Sequence, residues 1–348
     1  MRAARVVSPG RVEVVDTEQP TVGPGEVLVR VTAASVCHSD VMLRTAPPVL
    51  QMTLPLTLGH EVAGTVEAVS PDVEGWEPGH AVAVYPLTGC GRCIACERGD
   101  VNICRRGFTS IGVHRDGGLA ELLAVPAANL VDATGLAPSD AAALTDAGLT
   151  SFHAVRTALQ HQPKARVVAV IGVGGLGHLA IQELTALSTA EVIAIDLKQT
   201  SLDLALSLGA TSVFLSHPGT AEAVIDKLGG REVDAFIDFV GNQATLDLAA
   251  ATIAPGGTVV VVGLGGGALP VQAALGGPVP SDVDVQLVSV GSRDDLEGVI
   301  RLARSGDLQI EIETVGLEQA PAAIDRLEHG DVIGRLVVVP GLPQLPDA

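Results

Sequence analysis

The chain has 348 residues, beyond the size at which a single hydrophobic core usually stops growing, so two domains are expected. Hydrophobic residues make up 47% and charged residues 18%, a composition that supplies packed cores and excludes long disorder. Net charge is −19, aromatics are 2% and no run approaches the ~20 apolar residues of a membrane helix, which excludes nucleic acid and membrane as partners and leads us to expect a soluble, cytoplasmic protein.

Up to about residue 130 the chain reads as short β-rich runs, "VEVVD", "EVLVRVTAAS", "HEVAGTVEAV" and "HAVAVYPL", broken by turns at "TVGPGE", "VEGWEPGH" and "RDGGLA". The pattern predicts an irregular, mostly antiparallel domain. Within it, "SVCHSD" carries Cys37 and "LPLTLGHEVAG" carries His60 and Glu61; further on, "AALTDAGLTSFHAV" carries Asp146. Each has a plain reading as well, since a lone cysteine is usually a small core residue and an aspartate before "AGLT" can cap a helix. Spacing alone does not join residues so far apart.

"CGRCIACERGDVNIC" holds four of the five cysteines, Cys90, Cys93, Cys96 and Cys104, as C-x2-C-x2-C-x7-C. Two-residue gaps bring neighbouring thiolates within reach of one ion, and four sulfurs close a tetrahedral zinc site with no open position. An iron–sulfur cluster would place the fourth cysteine after three residues and before a proline, and disulfides do not suit a chain without an export signal. The spacing therefore favours structural zinc, with Cys37 left outside a site already full.

Near residue 165 the rhythm changes. "RVVAVIGVGG" is a nearly all-apolar strand ending in glycines, "LGHLAIQELTALS" has helical spacing, and "EVIAID" is another buried strand. The alternation continues through "SLDLALSLGA", "TSVFLS", "TAEAVIDKLGG", "VDAFIDFVG", "QATLDLAAATIA", "GGTVVVVGL" and "DVQLVSVGS", which predicts a parallel, doubly wound α/β sheet. After about 290, "DDLEGVIRLARSGDL" reads as a helix and "RLVVVPG" as a last strand; the tail "PGLPQLPDA" reads as loosely ordered.

"GVGGLG" puts Gly172, Gly174 and Gly177 at G-x-G-x-x-G spacing, with Gly175 and Leu176 between, directly between a strand and a helix. Asp196 ends the next strand, 24 residues after Gly172. A tight turn needs the first glycine, a pyrophosphate can approach only a bare second one, and the third lets helix and strand touch. Asp196 would accept hydrogen bonds from the adenosine ribose hydroxyls and repel a 2′-phosphate, which points to NAD rather than NADP. The bland alternative is a glycine-rich turn that binds nothing.

Taken in order, "CHSD", "GHE", the four-cysteine lobe, "LTDAGLTSFHA" and "VIGVGGLGH" resemble zinc-dependent alcohol dehydrogenases of the medium-chain dehydrogenase/reductase family, in particular bacterial NAD-dependent enzymes. That resemblance spans essentially the whole chain. It implies a GroES-like catalytic domain over 1–148 with the structural-zinc lobe at 88–105, a Rossmann NAD-binding domain over 149–288, and a return to the catalytic domain over 289–348. It implies two zinc ions per chain, the catalytic one on Cys37, His60 and Asp146 with Glu61 as alternate ligand. Ser39 would hydrogen-bond the substrate oxygen, and His38 and Arg335 would meet the cofactor pyrophosphate. The implied reaction is reversible hydride transfer between a primary or secondary alcohol and NAD, in a homotetramer, or a dimer, joined through sheet edges of the cofactor domain. A polyol or amino-alcohol dehydrogenase of the same family, and a non-catalytic dinucleotide-binding protein, are the alternatives.

The chain departs from that pattern at two places. Met42 stands where many relatives complete a proton relay with histidine, so the proton is expected to leave by another path; His80 stands where relatives commonly have aspartate and reads as an ordinary turn residue. Tyr85 is the only aromatic of "YPLTG", where relatives line the substrate pocket, which suggests a roomy pocket.

Overall fold

The computed structural model describes residues 1–50, 52–270 and 277–342. The chain divides into two units, one made of Met1–Leu149, Ser292–Arg304 and the chain from Ile310, the other of Thr150–Gly291 and Ser305–Gln309.

The first unit is built on a mixed sheet whose hub is the strand Glu26–Val36. Val27, Val29 and Val31 are buried while Arg30 between them is exposed, the period-two pattern of a strand with one face on the core. The hub pairs antiparallel with Glu61–Val69, Leu122–Pro126 and Arg335–Val339. Register decides what meets: Ser35 lies opposite Glu61, and Leu336 opposite Val36, so Arg335 arrives beside the end of the hub strand, next to Cys37. Ala81–Val84 and Leu130–Asp132 extend the sheet on one side and Ile312–Gly316 on the other, the last pairing parallel with Arg335–Val339. A short ribbon of Leu87–Thr88 and Thr109–Ser110 brackets the four-cysteine segment.

The second unit is a six-stranded, all-parallel sheet in the order Ser212–Leu215, Glu191–Asp196, Val167–Ile171, Val233–Asp238, Ile253–Val261, Asp284–Leu287. Its strand order, counted along the chain, is 3-2-1-4-5-6, the doubly wound dinucleotide-binding arrangement expected from the sequence. Along Val167–Ile171 alternate residues enter two different cores, Val168 and Val170 one, Val167, Ala169 and Ile171 the other, which is why the strand reads as an unbroken apolar run. The short Ser305–Gln309 segment joins this unit through an amide clasp, Gln182 Nε2 donating to Gln309 O at 2.9 Å and Gln309 N to Gln182 Oε1 at 2.7 Å.

His80 closes a turn, its Nδ1 accepting the Glu77 N–H and its ring packing edge-on against Trp76. Tyr85, the single aromatic of "YPLTG", is buried at 2% exposure. Of the tail read as loosely ordered, residues 343–348 lie outside the described residues. No helix among the described residues is long and apolar enough to cross a membrane.

Candidate functional site

Cys37, at the end of the hub strand, precedes the helix His38–Leu43 and has its N–H held by Asp40 Oδ2 at 3.0 Å. His60 immediately precedes the strand Glu61–Val69, which Glu61 opens, and Asp146 lies in a helical turn, Leu144–Gly148, wound as a π-helix. From these three places one ligand atom of each of Cys37, His60, Glu61 and Asp146 converges, all within 4.8 Å of one another. Cys37 Sγ stands 3.6 Å from Asp146 Oδ2, and His60 Nε2 3.4 Å from the same oxygen. A tetrahedral zinc with bonds of about 2.0–2.3 Å has ligand–ligand edges of about 3.3–3.8 Å, so these separations fit the ion.

The electrostatics also fit a cation. Burial disfavours a charged His60, yet hydrogen bonds to Asp146 and Cys37 and the charges of Asp146 and Asp40 outweigh it, raising His60 well above the usual imidazole value. Burial likewise raises the Cys37 thiol. Asp146 is held below the usual carboxylate value because His60 and Arg335 outweigh its burial. The cluster attracts positive charge.

Three contacts around the cluster, made by Asp40, Arg335 and Thr145, are not evident from the sequence. Asp40, fully buried, accepts from the N–H groups of Cys37 and Gly59 and places Oδ1 3.9 Å from His60 Nδ1, an atom with no hydrogen-bond partner among the described residues. At that distance Asp40 adds negative charge behind the imidazole without a hydrogen bond to it. Arg335 is buried and grips both oxygens of Glu61, while Nε and Nη2 also donate to Ser35 Oγ and Nη2 to Val36 O. Burial raises Glu61, and the guanidinium pulls it back. Thr145 Oγ1, also fully buried, accepts the Val62 N–H at 3.0 Å.

Ser39 Oγ lies 3.6 Å from Cys37 Sγ. His38 is exposed, and partial desolvation and then the charge of Arg335 lower its pKa. Met42, on the same helix, is exposed.

Cys90, Cys93, Cys96 and Cys104 form a second cluster. Sγ–Sγ separations of 4.0 Å for Cys90–Cys96 and 3.9 Å for Cys93–Cys104 match the edge of about 3.8 Å in a zinc tetrathiolate. Backbone N–H groups of Cys96 and Arg105 aim at the Cys93 sulfur and lower it to about 6, and those of Cys90 and Arg106 lower Cys104, whereas burial and then the neighbouring sulfurs push Cys96 up to about 11. Donors preset on sulfur favour the thiolate form that binds metal.

In the second unit the glycine turn follows the strand Val167–Ile171. Gly172 has φ +87°, and a Cβ on Gly177 would sit 2.0 Å from Gly172 O, so helix and strand require both glycines. Nothing in the described protein comes within 4 Å of a Cβ placed at Gly174, which is exposed. Packing does not demand glycine there, and the bare backbone leaves room for the close approach of a ligand such as a pyrophosphate. Leu176 precedes the helix Gly177–Leu187, whose first N–H groups face the turn. Asp196 accepts the Val173 N–H at 2.7 Å and the Lys198 N–H at 2.8 Å, one on each oxygen.

The family model of the alcohol dehydrogenase GroES-like domain matches residues 23–139, and that of the zinc-binding dehydrogenase residues 175–305. An NAD-dependent alcohol dehydrogenase of Sulfurisphaera tokodaii is 35% identical over 353 aligned positions, covering 98% of this chain and all of the relative. One from Saccharolobus solfataricus is 36% identical with the same coverage. The crystal structure of the alcohol dehydrogenase of Aeropyrum pernix superposes with a TM-score of 0.89 at 33% identity, covering 98% of this chain and 100% of that one. The chain therefore belongs to the zinc-binding alcohol dehydrogenases of the medium-chain dehydrogenase/reductase family.

Proposed function

We propose that the protein is an NAD-dependent alcohol dehydrogenase with two zinc ions per chain, interconverting primary or secondary alcohols and the corresponding aldehydes or ketones. The observation that carries this reading is the convergence of Cys37, His60 and Asp146, the outer two 109 residues apart, at separations that suit one zinc. When bound, zinc supplies Lewis acidity to the alcohol or carbonyl oxygen, and NAD supplies the hydride acceptor.

The chain's own groups do the rest. Cys37, His60 and Asp146 hold the ion, with a formal charge of −2 that a divalent cation neutralises. Asp40 places a negative charge behind His60, and Arg335 holds Glu61 close enough to serve as an alternate ligand. Ser39, beside Cys37, would take the alcohol proton, and with Met42 in place of a relay histidine that proton would leave by a path other than the histidine relay. Asp196, Gly172, Gly174, Gly175, Leu176 and Gly177 bind the adenosine side of NAD, and His38 and the remaining Nη1 of Arg335 meet its phosphates. Cys90, Cys93, Cys96 and Cys104 hold the second, closed zinc. Free thiolate ligands suit a reducing cytoplasm, and a homotetramer is the assembly we expect.

Metal analysis combined with NADH formation over a panel of alcohols, each with NAD and NADP, tests the proposal. Two zinc ions per chain and NAD-preferring turnover are expected. One zinc and no turnover would instead indicate a non-catalytic dinucleotide-binding protein.

A further inference from the structure

From Pro138 to His161 the chain is helical throughout, yet the turn Leu144–Gly148 is π-wound: the Leu149 N–H reaches back five residues to Leu144 O. A single π turn inserts one extra residue and rotates whatever follows it, and such turns gather at functional sites. Asp146 is the third residue of this one.

Thr145, immediately before it, is fully buried. Its Oγ1 donates to Ala142 O at 2.8 Å, within the helical run, and accepts the Val62 N–H at 3.0 Å, from the strand that begins at Glu61. Val62 is two residues from His60. A single hydroxyl therefore joins the turn carrying Asp146 to the strand carrying His60 and Glu61, with both its donor and an acceptor lone pair engaged.

We infer that Thr145 is a positioning residue for the catalytic metal: its hydroxyl clamps the π turn to the strand Glu61–Val69 and so sets the separation between Asp146 and His60. The inference rests on the reading of Cys37, His60 and Asp146 as metal ligands. Thr145 touches neither ion nor substrate. Its methyl group only fills volume, and valine would fill the same volume; the hydroxyl is what valine lacks. Without it the Val62 N–H loses its acceptor, and the His60 Nε2–Asp146 Oδ2 separation of 3.4 Å is no longer fixed by a bond one residue away from Asp146.

The test is chelator competition on the zinc-loaded full chain, read as two separate zinc-release steps, for wild type, Thr145→Val and Thr145→Ser. Groups that support metal ligands in this way typically change metal affinity by about 10–100-fold. Thr145→Val is expected to weaken one zinc equivalent by about that factor and leave the other unchanged, whereas Thr145→Ser, which keeps the hydroxyl, retains wild-type affinity for both. Unchanged binding in Thr145→Val overturns the inference, as does equal weakening in Thr145→Ser, which would assign the effect to the methyl group. Should Thr145→Val fail to fold, Thr145→Ala read against Thr145→Ser makes the same comparison. A wild-type chain with a single tightly held zinc overturns the metal reading itself, and the wild-type arm alone reveals that.

Discussion

Asp196 holds the glycine turn in place: its Oδ2 accepts the backbone N–H of Val173 at 2.7 Å, in the middle of "GVGG", while Oδ1 accepts from Lys198. A residue read from the sequence as a ribose ligand is thus also a brace for the pyrophosphate turn. Each carboxylate oxygen keeps a lone pair for a ribose hydroxyl, so the two roles are compatible.

The brace changes what a substitution at Asp196 should do. If the carboxylate only repelled a 2′-phosphate, Asp196→Ala would exchange NAD preference for NADP preference. Because it also loses a charge-assisted bond of about 1.5–3 kcal/mol to the turn, we expect KM for NAD to rise about 10–100-fold with no matching gain for NADP. Steady-state kinetics with both cofactors decide, and a variant using NADP as well as wild type uses NAD would show that the brace is dispensable.

Some of this was legible in the sequence and some was not, for physical reasons. The parallel sheet declared itself because strands buried on both faces are continuous apolar runs, and the cysteine lobe because its four ligands sit within fifteen residues. The grouping of Cys37, His60 and Asp146 came from resemblance alone, since nothing in spacing reports that the hub strand's register lays Ser35 opposite Glu61. Arg335 was assigned to the cofactor and its grip on Glu61 went unseen, because a pairing across 274 residues depends on where the last strand enters the sheet. Asp40 stood in plain view in "CHSD" but gave no sign of which way its carboxylate turns. The helix Ala320–His329 was overlooked although it carries ordinary signals, a proline in its first turn and a left-handed glycine, Gly330, at its end.

The Arg335–Glu61 pair should behave as a unit. Both side chains are buried, so removing one leaves an uncompensated charge, which costs about 3–5 kcal/mol. Arg335→Met is expected to lose stability in that range, and adding Glu61→Gln to it to restore much of the loss. Denaturant unfolding of the two single variants and the double variant measures the coupling; simple additivity would mean that the two groups do not depend on each other.

Gly89 leaves no room for a side chain beside the four-cysteine lobe. A Cβ there would lie 2.7 Å from Cys96 Sγ and 3.6 Å from Cys104 Cβ, and the first distance is shorter than real contacts allow. Gly89→Ala must therefore move a metal-binding sulfur by several tenths of an ångström, whereas zinc–sulfur bonds tolerate about 0.2 Å. One zinc per chain should become chelator-labile and the melting temperature should fall. Metal content and thermal unfolding check this together, and two firmly held zinc ions at an unchanged melting temperature would contradict it.

Glu183 offers a prediction about pH that lies outside both metal sites. The residue is fully buried in the helix Gly177–Leu187; Oε1 accepts from Ser151 Oγ at 2.8 Å, and Oε2 has no hydrogen-bond partner among the described residues. Burial raises its pKa well above the ordinary value, against the smaller opposing effect of Ser151. The folded chain thus retains a proton that the unfolded chain releases near pH 4.3, and between that value and the raised one the folded state binds more protons. Stability contributed by this group is then complete below about pH 4.3 and is lost as pH rises, at up to about 1.4 kcal/mol per pH unit, until the folded-state pKa is passed. Glu183→Gln keeps an acceptor for Ser151 and cannot ionise, so its stability curve should meet that of wild type at acidic pH and lie above it at neutral and alkaline pH. Subtracting the two curves removes every titration they share, including those of the zinc ligands. A difference that stays constant with pH would mean that Glu183 is ionised in the folded chain, satisfied by a partner that its surroundings do not reveal.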